Sequence, residues 1–242
     1  MTAAVLKLPG AVYAPTSLEE RAAILDAEAG SLTAPEIVER ALGEFVGRIA
    51  LVSSFGAESA ALLHLVASVD PATPVLFIDT NKHFVQTHAY REELVHALKL
   101  TNVRSIFPDA DETAEIDPKG DLWKRDNDAC CALRKVRPLG KALAEFDAWF
   151  TGRKRMHGNL RAHLPIAEAA EPHIKINPLA RWSPDDLKDY MTAQALPPHP
   201  LVETGFSSIG CWPCTAPTAP GDDARAGRWR GLSKTECGIH RL

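Results

Sequence analysis

The strongest constraint on the fold is an alternation of short apolar runs with helical segments. Apolar runs typical of buried strands cover 48–53, 75–78 and 103–107, and helix-like segments cover about 57–69 and 86–98 between them. A β-α-β-α-β order with continuously apolar strands is typical of a parallel sheet covered by helices on both faces. The sequence therefore predicts an α/β fold with a doubly wound, mainly parallel sheet.

Helix-start signals and one more apolar run extend this unit in both directions. Two capping boxes predict helices over about 18–29 and 34–45. Ser183 followed by Pro184 predicts the start of a later helix, since a serine cap and a proline in the first turn both favour helix initiation. The apolar run 148–151 predicts a fourth strand.

The C-terminal part of the chain differs in character from the rest. From Pro197 onward it is rich in proline and glycine, lacks periodicity and carries three of the five cysteines. A long stretch without secondary structure is uncommon in a compact domain unless it is functional. We therefore predict a single domain over 1–242, in which 197–242 form a cysteine-bearing C-terminal segment and 220–242 are mobile.

Length and composition exclude several classes of protein. The 242 residues are 45% hydrophobic, which suffices for a sizeable core and excludes a disordered chain. No run approaches the roughly 18–20 apolar residues of a membrane-spanning helix, and the N-terminal residues do not resemble a secretory signal. The net charge of −4 disfavours a general nucleic-acid binder. We expect a soluble, cytoplasmic protein without a membrane or nucleic-acid partner.

The five cysteines fall into three groups. Cys130 and Cys131 are adjacent, Cys211 and Cys214 form a C-x-x-C motif, and Cys237 stands alone near the C-terminus. Two thiolate pairs brought together in space are the usual way to build a four-sulfur site for zinc or an iron–sulfur cluster. Because adjacent residues point their side chains in different directions, the vicinal pair favours a cluster over a single zinc ion.

Each cysteine group also has a plainer interpretation. A C-x-x-C motif alone can form a redox disulfide, and a vicinal pair can be two small buried side chains. Cys237 can be an inert spare thiol. It is nevertheless favoured as a nucleophile, because a tail gives it no packing role and Lys234 and His240 lie nearby in sequence.

Several loops have the composition of an anion site. Residues 53–59 join a predicted strand to its helix with small side chains, a place where backbone N–H groups bind phosphate or sulfate, although a plain turn is an equal alternative. Asp79 ends the next strand on the same rim and would serve equally as a helix cap. The cation-rich segments 153–161 and 225–230 suit a small polyanion, or are solvated charge runs.

Together these motifs resemble the assimilatory sulfonucleotide reductases, specifically the iron–sulfur adenylyl-sulfate (APS) reductases. A vicinal cysteine pair, a later C-x-x-C and a terminal ECGIH form a highly specific combination in this order. The matching segments are SSFGAES (53–59), IDTNKHF (78–84), YREEL (90–94), CCALRKV (130–136), TGRKR (151–155), RAHLP (161–165), GCWPCT (210–215), RAGRWR (225–230) and KTECGIH (234–240).

The resemblance implies a fold similar to the adenine-nucleotide α-hydrolase (PP-loop) proteins. It also implies a 4Fe–4S cluster close to Lys135, with a structural and electrostatic role beside the substrate instead of electron transfer. The implied cluster ligands are Cys130, Cys131, Cys211 and Cys214.

The resemblance further implies a reaction in sulfate assimilation and cysteine biosynthesis. Cys237 would attack the sulfur of adenylyl sulfate, expel AMP and become an S-sulfocysteine, which thioredoxin or glutaredoxin would reduce to release sulfite. The implied substrate contacts are Ser53, Ser54, Gly56 and Glu58 in the phosphosulfate loop, Asp79 on the nucleoside side, and Lys135, Arg225 and Arg228 facing the phosphosulfate.

The chain departs from the related patterns in three places. Residues 53–59 lack the second glycine and the aspartate of the SGGxDS loop, which argues against ATP cleavage. Asn81 stands where a glycine is commoner, and residues 156–159 differ from the more usual run after the arginines. We therefore assign no site residue within 156–159.

Three other functions stay open at the level of sequence. One is reduction of the 3′-phosphorylated substrate PAPS, alone or together with APS, although the two cysteine pairs favour APS. A second is a PP-loop sulfurtransferase acting on a substrate such as transfer RNA, and a third is a zinc-stabilised binding module. The identity of the thiol donor is also open, and so is assembly into a homo-oligomer.

Overall fold

The structure is a computed structural model that describes residues 17–232 and 234–241. It is built around one six-stranded mixed sheet. Its strand order is β3-β2-β1-β4-β6-β5, and each neighbouring pair is parallel except β5 with β6. The strands are β1 (Ile49–Ser53), β2 (Val75–Ile78), β3 (Val103–Ile106), β4 (Ala148–Phe150), β5 (Ala167–Ala170) and β6 (His173–Ile176). The predicted mainly parallel sheet is confirmed.

The helices begin where the sequence places helix caps. The capping boxes at Thr33 and Ser183 are both formed, and the Ser17 hydroxyl accepts the Glu20 N–H at 3.2 Å. The helices are α1 (Leu18–Glu28), α2 (Ala34–Glu44), α3 (Ser59–Val69), α4 (Val85–Ala97), α5 (Ala110–Ile116), α6 (Leu122–Arg125), α7 (Asn127–Cys131), α8 (Arg137–Leu143) and α9 (Pro184–Ala193).

The sheet is buried on both faces. Within β1, Leu51 belongs to a large apolar core together with α1, α2 and α3, whereas Ala50 belongs to a second core with Leu139 and Leu143 of α8. Successive strand residues point to opposite faces, so this division places helices on each side of the sheet. The doubly wound arrangement predicted from the continuous apolar strands is therefore confirmed.

A π turn lies next to the vicinal cysteines. It covers Ala132–Val136 and joins α7, which ends at Cys131, to α8. The sequence predicts an ordinary helix here. Single π turns inside helices occur frequently at functional sites, and this one carries Lys135, whose Nζ lies 4.0 Å from Cys237 Sγ in the C-terminal segment.

The C-terminal segment packs onto the body through short 3₁₀ turns and loops. Thr215 pairs with Arg228 in an isolated bridge, and Trp229 and Cys237 are buried. The predicted mobility of 220–242 stays a prediction. In the described part of the chain, every helix is too short or too polar to cross a membrane.

Candidate active site

A cavity of about 200 Å³ opens at the carboxyl ends of the parallel strands. The loop after β1 and the loop after β4 form one side, and the C-terminal segment covers the other with Ser208, Arg228 and Cys237. Ligands of open α/β sheets bind outside the carboxyl ends of the strands. The two strand-end loops identified in the sequence as anion sites therefore line a common space, with the C-terminal segment opposite them.

The loop after β1 is held in a fixed shape by its own serines. Ser53 Oγ accepts the Phe55 N–H at 3.1 Å, and Ser59 Oγ accepts the Gly56 N–H at 2.8 Å. A Cβ on Gly56 would lie 3.0 Å from the Ile209 carbonyl oxygen, so glycine permits close approach of the C-terminal segment. Ser53, Ser54, Gly56 and Glu58 all line the cavity, and their contact with a substrate stays a prediction.

Glu58 contacts Lys154 and His157 in the cavity wall. Lys154 Nζ lies 2.7 Å from its carboxylate, and His157 Nε2 lies 3.3 Å away. Burial would raise the pKa of Glu58, but the charges of Lys154 and His157 hold that pKa at about 2. The carboxylate is therefore ionised, and it neutralises part of a strongly cationic wall.

The rest of the wall carries a set of cations suited to a polyanion. Arg225 and Arg228 lie over the ring of buried Trp229, with guanidinium carbons 5.4 and 4.5 Å from the ring centroid. Burial and the neighbouring Arg161 lower the pKa of Arg225 to about 10, which still leaves it charged at neutral pH. The described cationic residues lining the cavity are Lys135, Arg153, Lys154, Arg161, Arg225 and Arg228.

Cys237 is the thiol that faces this space. It is 9% exposed, lines the cavity and has its Sγ 4.0 Å from Lys135 Nζ. A hydrogen bond from the Cys131 thiol lowers the pKa of Cys237, and the charges of Lys135 and Arg228 act in the same direction. The two charges act in this way also when Cys131 is a metal-ligating thiolate. A lowered thiol pKa beside cations is typical of a nucleophilic cysteine, because the thiolate is the reactive form.

The other four cysteines line a second, smaller cavity behind Lys135. Polar groups approach three of their sulfurs. Asn127 Nδ2 donates to Cys214 at 3.1 Å, Thr80 Oγ1 lies 3.2 Å from Cys211, and Lys234 Nζ lies 3.3 Å from Cys131. The structure thus brings together the residues predicted as metal ligands, which are Cys130, Cys131, Cys211 and Cys214.

The chemistry of this donor set fits an iron–sulfur cluster. Hydrogen bonds to the sulfurs are one of the means by which proteins tune such clusters. Across 17–232 and 234–241, no three His, Cys, Asp or Glu side chains converge closely enough to hold one metal ion. Four cysteine thiolates form a donor set that proteins use for an iron–sulfur cluster or for zinc.

Asp79 is placed differently from the other predicted substrate contacts. It is not among the described residues lining the cavity. Its carboxylate accepts the Asn81 N–H at 3.0 Å and lies 3.9 Å from His88 Nδ1. This contact closes a local turn two residues long, so the helix-cap alternative is wrong, because α4 begins at Val85 with Phe84 as its N-cap. The role of Asp79 toward a nucleoside stays a prediction.

Sequence reasoning missed several residues of the wall. His157, in the stretch where no site was assigned, contacts Glu58 and lines the cavity. His83 also lines it, and burial lowers the pKa of His83 to about 4. His83 Nδ1 has no hydrogen-bond partner among the described residues. The sequence signal for His157 is the cation-rich loop after β4, which indicates a charge cluster but no individual roles. His83 lies in the segment 78–84 after β2.

A doubly wound sheet with an anion-suited loop after β1 and a thiol on a covering segment is typical of an α/β protein that binds an anionic ligand at its strand ends. Comparison with known proteins narrows this class. The family described as "Phosphoadenosine phosphosulfate reductase domain" matches residues 48–217. An adenosine 5′-phosphosulfate reductase of Mesorhizobium japonicum is 54% identical, covering 91% of this chain and 87% of that protein. One of Streptomyces coelicolor is 42% identical, with coverages of 86% and 88%.

Solved structures show the same likeness. A phosphoadenylyl-sulfate (PAPS) reductase from Candida auris, in a phosphate complex, matches with a TM-score of 0.70 at 28% identity, over 86% of this chain and 100% of that one. An FMN adenylyltransferase of Candida glabrata matches with a TM-score of 0.56 at 16% identity, over 86% and 70%, and shares the fold alone. The chain belongs to the phosphoadenosine phosphosulfate reductase family, and its predicted PP-loop-like fold is confirmed.

Proposed function

We propose that this chain reduces adenylyl sulfate to sulfite and AMP in sulfate assimilation, with Cys237 as the nucleophile. The chain is an oxidoreductase that acts on a sulfur group, as its close relatives are named. The observation that carries the mechanism is the position of Cys237, which faces a cation-lined cavity with its sulfur 4.0 Å from Lys135 Nζ.

The proposed first step is a displacement at sulfur. The Cys237 thiolate supplies an electron pair to the sulfate sulfur, and the bond between that sulfur and the bridging phosphate oxygen breaks. AMP leaves with the bonding pair, and Cys237 becomes an S-sulfocysteine. The barrier is mainly the repulsion between an anionic nucleophile and an anionic substrate, which positioned cations reduce.

The proposed second step consumes a dithiol. A thiolate of thioredoxin or glutaredoxin attacks Cys237 Sγ, sulfite leaves with the electron pair of the S–S bond, and a mixed disulfide forms. The second thiol of the donor resolves that disulfide and regenerates the Cys237 thiol. The reductant is thereby oxidised by two electrons, and the sulfur of the substrate is reduced to the level of sulfite.

We propose that Cys130, Cys131, Cys211 and Cys214 hold a 4Fe–4S cluster. A bound cluster would supply a compact centre of charge next to the π turn that carries Lys135. Lys135 then bridges the two cavities, since it lines both of them. Burial would lower the pKa of Lys135, but the nearby cysteines Cys211, Cys237 and Cys131 raise it, so its ammonium is retained.

A second candidate function is reduction of PAPS in place of APS or in addition to it. The solved structure from Candida auris is a PAPS reductase and matches over 86% of this chain. We favour APS because the more similar relatives carry that name and because of the two cysteine pairs. The family assignment leaves little support for a sulfurtransferase or a zinc-stabilised binding module.

Sulfite release from each nucleotide tests the proposal. With thioredoxin as donor, we expect turnover of APS, at least roughly tenfold slower turnover of PAPS, and no turnover by Cys237→Ser. Sulfite release by Cys237→Ser at the wild-type rate would contradict the proposed role of Cys237 as the nucleophile. Replacing thioredoxin by glutaredoxin in the same assay identifies the donor. A cytoplasmic location and assembly into a homo-oligomer stay predictions.

A further inference from the structure

We infer that Glu236 positions the nucleophile, because it holds the segment 234–241, which bears Cys237, against Arg161 on the body of the protein. We call this Arg161–Glu236 ion pair the lock. The inference rests on the proposed role of Cys237, but it concerns a contact that can be measured without substrate. It adds a residue that neither the sequence motifs nor the family comparison assigns to a task.

The contact is a buried, two-pronged ion pair. Arg161 Nε donates to Glu236 Oε2 at 2.6 Å, and Arg161 Nη2 donates to Glu236 Oε1 at 2.8 Å. The two side chains are only 9% and 7% exposed. Fork-to-fork geometry of this kind fixes orientation as well as distance. The pair joins the loop that follows β4 to a segment 75 residues further along the chain.

The same carboxylate also fixes the backbone of the nucleophile. Glu236 Oε1 accepts the Cys237 N–H at 2.8 Å, so one oxygen serves both Arg161 and the cysteine that follows it. Arg225 Nη2 lies 3.5 Å from that oxygen and donates to the Thr235 carbonyl at 3.3 Å. A rotation of the segment would therefore break contacts on both sides of Cys237 at once.

The charges around Glu236 explain why the segment closes in this position. Burial would raise the pKa of Glu236, but Arg161 and its other neighbours hold that pKa at about 2. If the segment moved away, Arg161 and Arg225 would face each other without a counter-charge. Removing one partner of a buried ion pair is strongly destabilising, because the other charge stays buried and unpaired.

The position of the lock suits a nucleophile that meets two partners in turn. The Cys237 sulfur faces the substrate cavity while the pair is formed, but a dithiol protein needs it outside. An ion pair can open reversibly, because water solvates both charges once they separate. Arg161 itself lines the cavity, so the lock places the sulfur relative to the wall that binds the anion.

Hydrogen exchange of the segment 234–241 tests the lock in substrate-free holoprotein. We expect protection of the Cys237 and His240 amides in the wild type, since both are hydrogen-bonded. Glu236→Gln and Arg161→Gln should each speed exchange there by roughly tenfold or more. The double variant should be no faster than about twice either single one, because both substitutions remove the same contact.

The matched control is Asp147→Asn, which breaks an exposed two-pronged pair with Arg48 at 2.7 Å. It should leave exchange of 234–241 unchanged. Exchange in Glu236→Gln equal to wild type, or additive effects in the double variant, would overturn the lock. If Glu236→Gln does not fold, Glu236→Asp is used instead, because it keeps the charge but shortens the side chain. Faster hydrogen exchange of 234–241 in Glu236→Asp than in the wild type would support the lock, and equal exchange would overturn it.

Transfer of label from APS to Cys237 then separates the two proposals. If Glu236 positions Cys237, Glu236→Gln should form the labelled enzyme more slowly at saturating APS, and its KM should change by a smaller factor than this rate. Rapid exchange without any labelling of the wild type would support the lock and remove the proposed function. Labelling of the wild type together with unchanged hydrogen exchange in Glu236→Gln would support the proposed function and overturn the lock.

Discussion

Lys135 lines both the substrate cavity and the cavity formed by the other four cysteines. Its ammonium lies 4.0 Å from Cys237 Sγ and also lines the space formed by the four other cysteines. A cation placed between a reacting thiolate and an anionic substrate lowers the repulsion that opposes their approach. The sequence indicates this residue only through its place after the vicinal cysteines. Its distance from Cys237, which is 102 residues further along, depends on the fold.

Lys135→Gln should therefore slow formation of the S-sulfocysteine by roughly a hundredfold, in the range found when one oxyanion-stabilising donor is removed. Single-turnover labelling with APS measures this rate. Lys141→Gln is the matched control, since Lys141 lies on α8 with 71% of its side chain exposed. Equal losses in the two variants would show that Lys135 acts only through general charge.

Trp229 holds two of the proposed substrate contacts in place. Arg225 and Arg228 both lie over its ring, and each such contact contributes about 0.5–2 kcal/mol. We expect Trp229→Leu to raise the KM for APS by roughly tenfold, while iron content stays at the wild-type level. Trp182→Leu, which removes a ring packed on Tyr190, should leave KM unchanged. A normal KM in Trp229→Leu would show that the arginines are held by other contacts.

At the scale of elements, the regular helices and strands follow from local rules and the irregular ones do not. Apolar runs place β1 and β2 within a residue of their observed bounds, and the Ser183 cap places the start of α9. The edge strand β5 was not predicted, because Ala167–Ala170 is AEAA and has neither alternation nor branched side chains. The π turn was also missed, since its hydrogen bonds depend on the packing around the cysteines.

His199 joins α4 to the C-terminal segment and supplies a pH-dependent contact. Its Nε2 lies 3.1 Å from Thr87 Oγ1, and its Nδ1 accepts the Leu201 N–H at 3.1 Å. Burial lowers the pKa of His199 to about 4. Between about pH 6.5 and 4, His199 is therefore protonated in the unfolded chain but neutral in the folded chain.

The free energy of unfolding should fall as pH decreases through that window, by up to about 1.4 kcal/mol per pH unit from this one group. Above about pH 6.5 the contribution is constant, because the imidazole is neutral in both states. Urea unfolding of the wild type and His199→Asn at several pH values measures it. The difference in pH slope between the two proteins should vanish above neutrality, and parallel curves throughout would contradict the assignment.

At the scale of the whole molecule, the fold gathers five cysteines from distant parts of the chain into two adjacent cavities. The spacing of the cysteines sufficed to predict which four belong together and which one stands apart. The wall of the substrate cavity was less predictable. Arg161 and Glu236 lie in motifs that gave them no individual role, and His157 lies in the stretch where no site was assigned. Only the folded chain shows that all three line the cavity that Cys237 faces.

Iron content separates the two roles assigned to cysteine. Cys211→Ser should lose iron and acid-labile sulfide and unfold at lower urea, because cluster binding contributes to folding. Cys237→Ser should keep both at wild-type levels, since its sulfur belongs to the substrate cavity. Undiminished iron in Cys211→Ser, or zinc in place of iron in the anaerobically purified wild type, would contradict the proposed cluster.

The most direct test of the central claim is covalent labelling of Cys237. Anaerobically purified protein is incubated with APS carrying ³⁵S, separated on a denaturing gel without reductant, and digested to locate the label. We predict one labelled site at Cys237, release of the label as sulfite on addition of thioredoxin, and no labelling of Cys237→Ser. Label on another cysteine, or sulfite release without any labelled protein, would contradict the account.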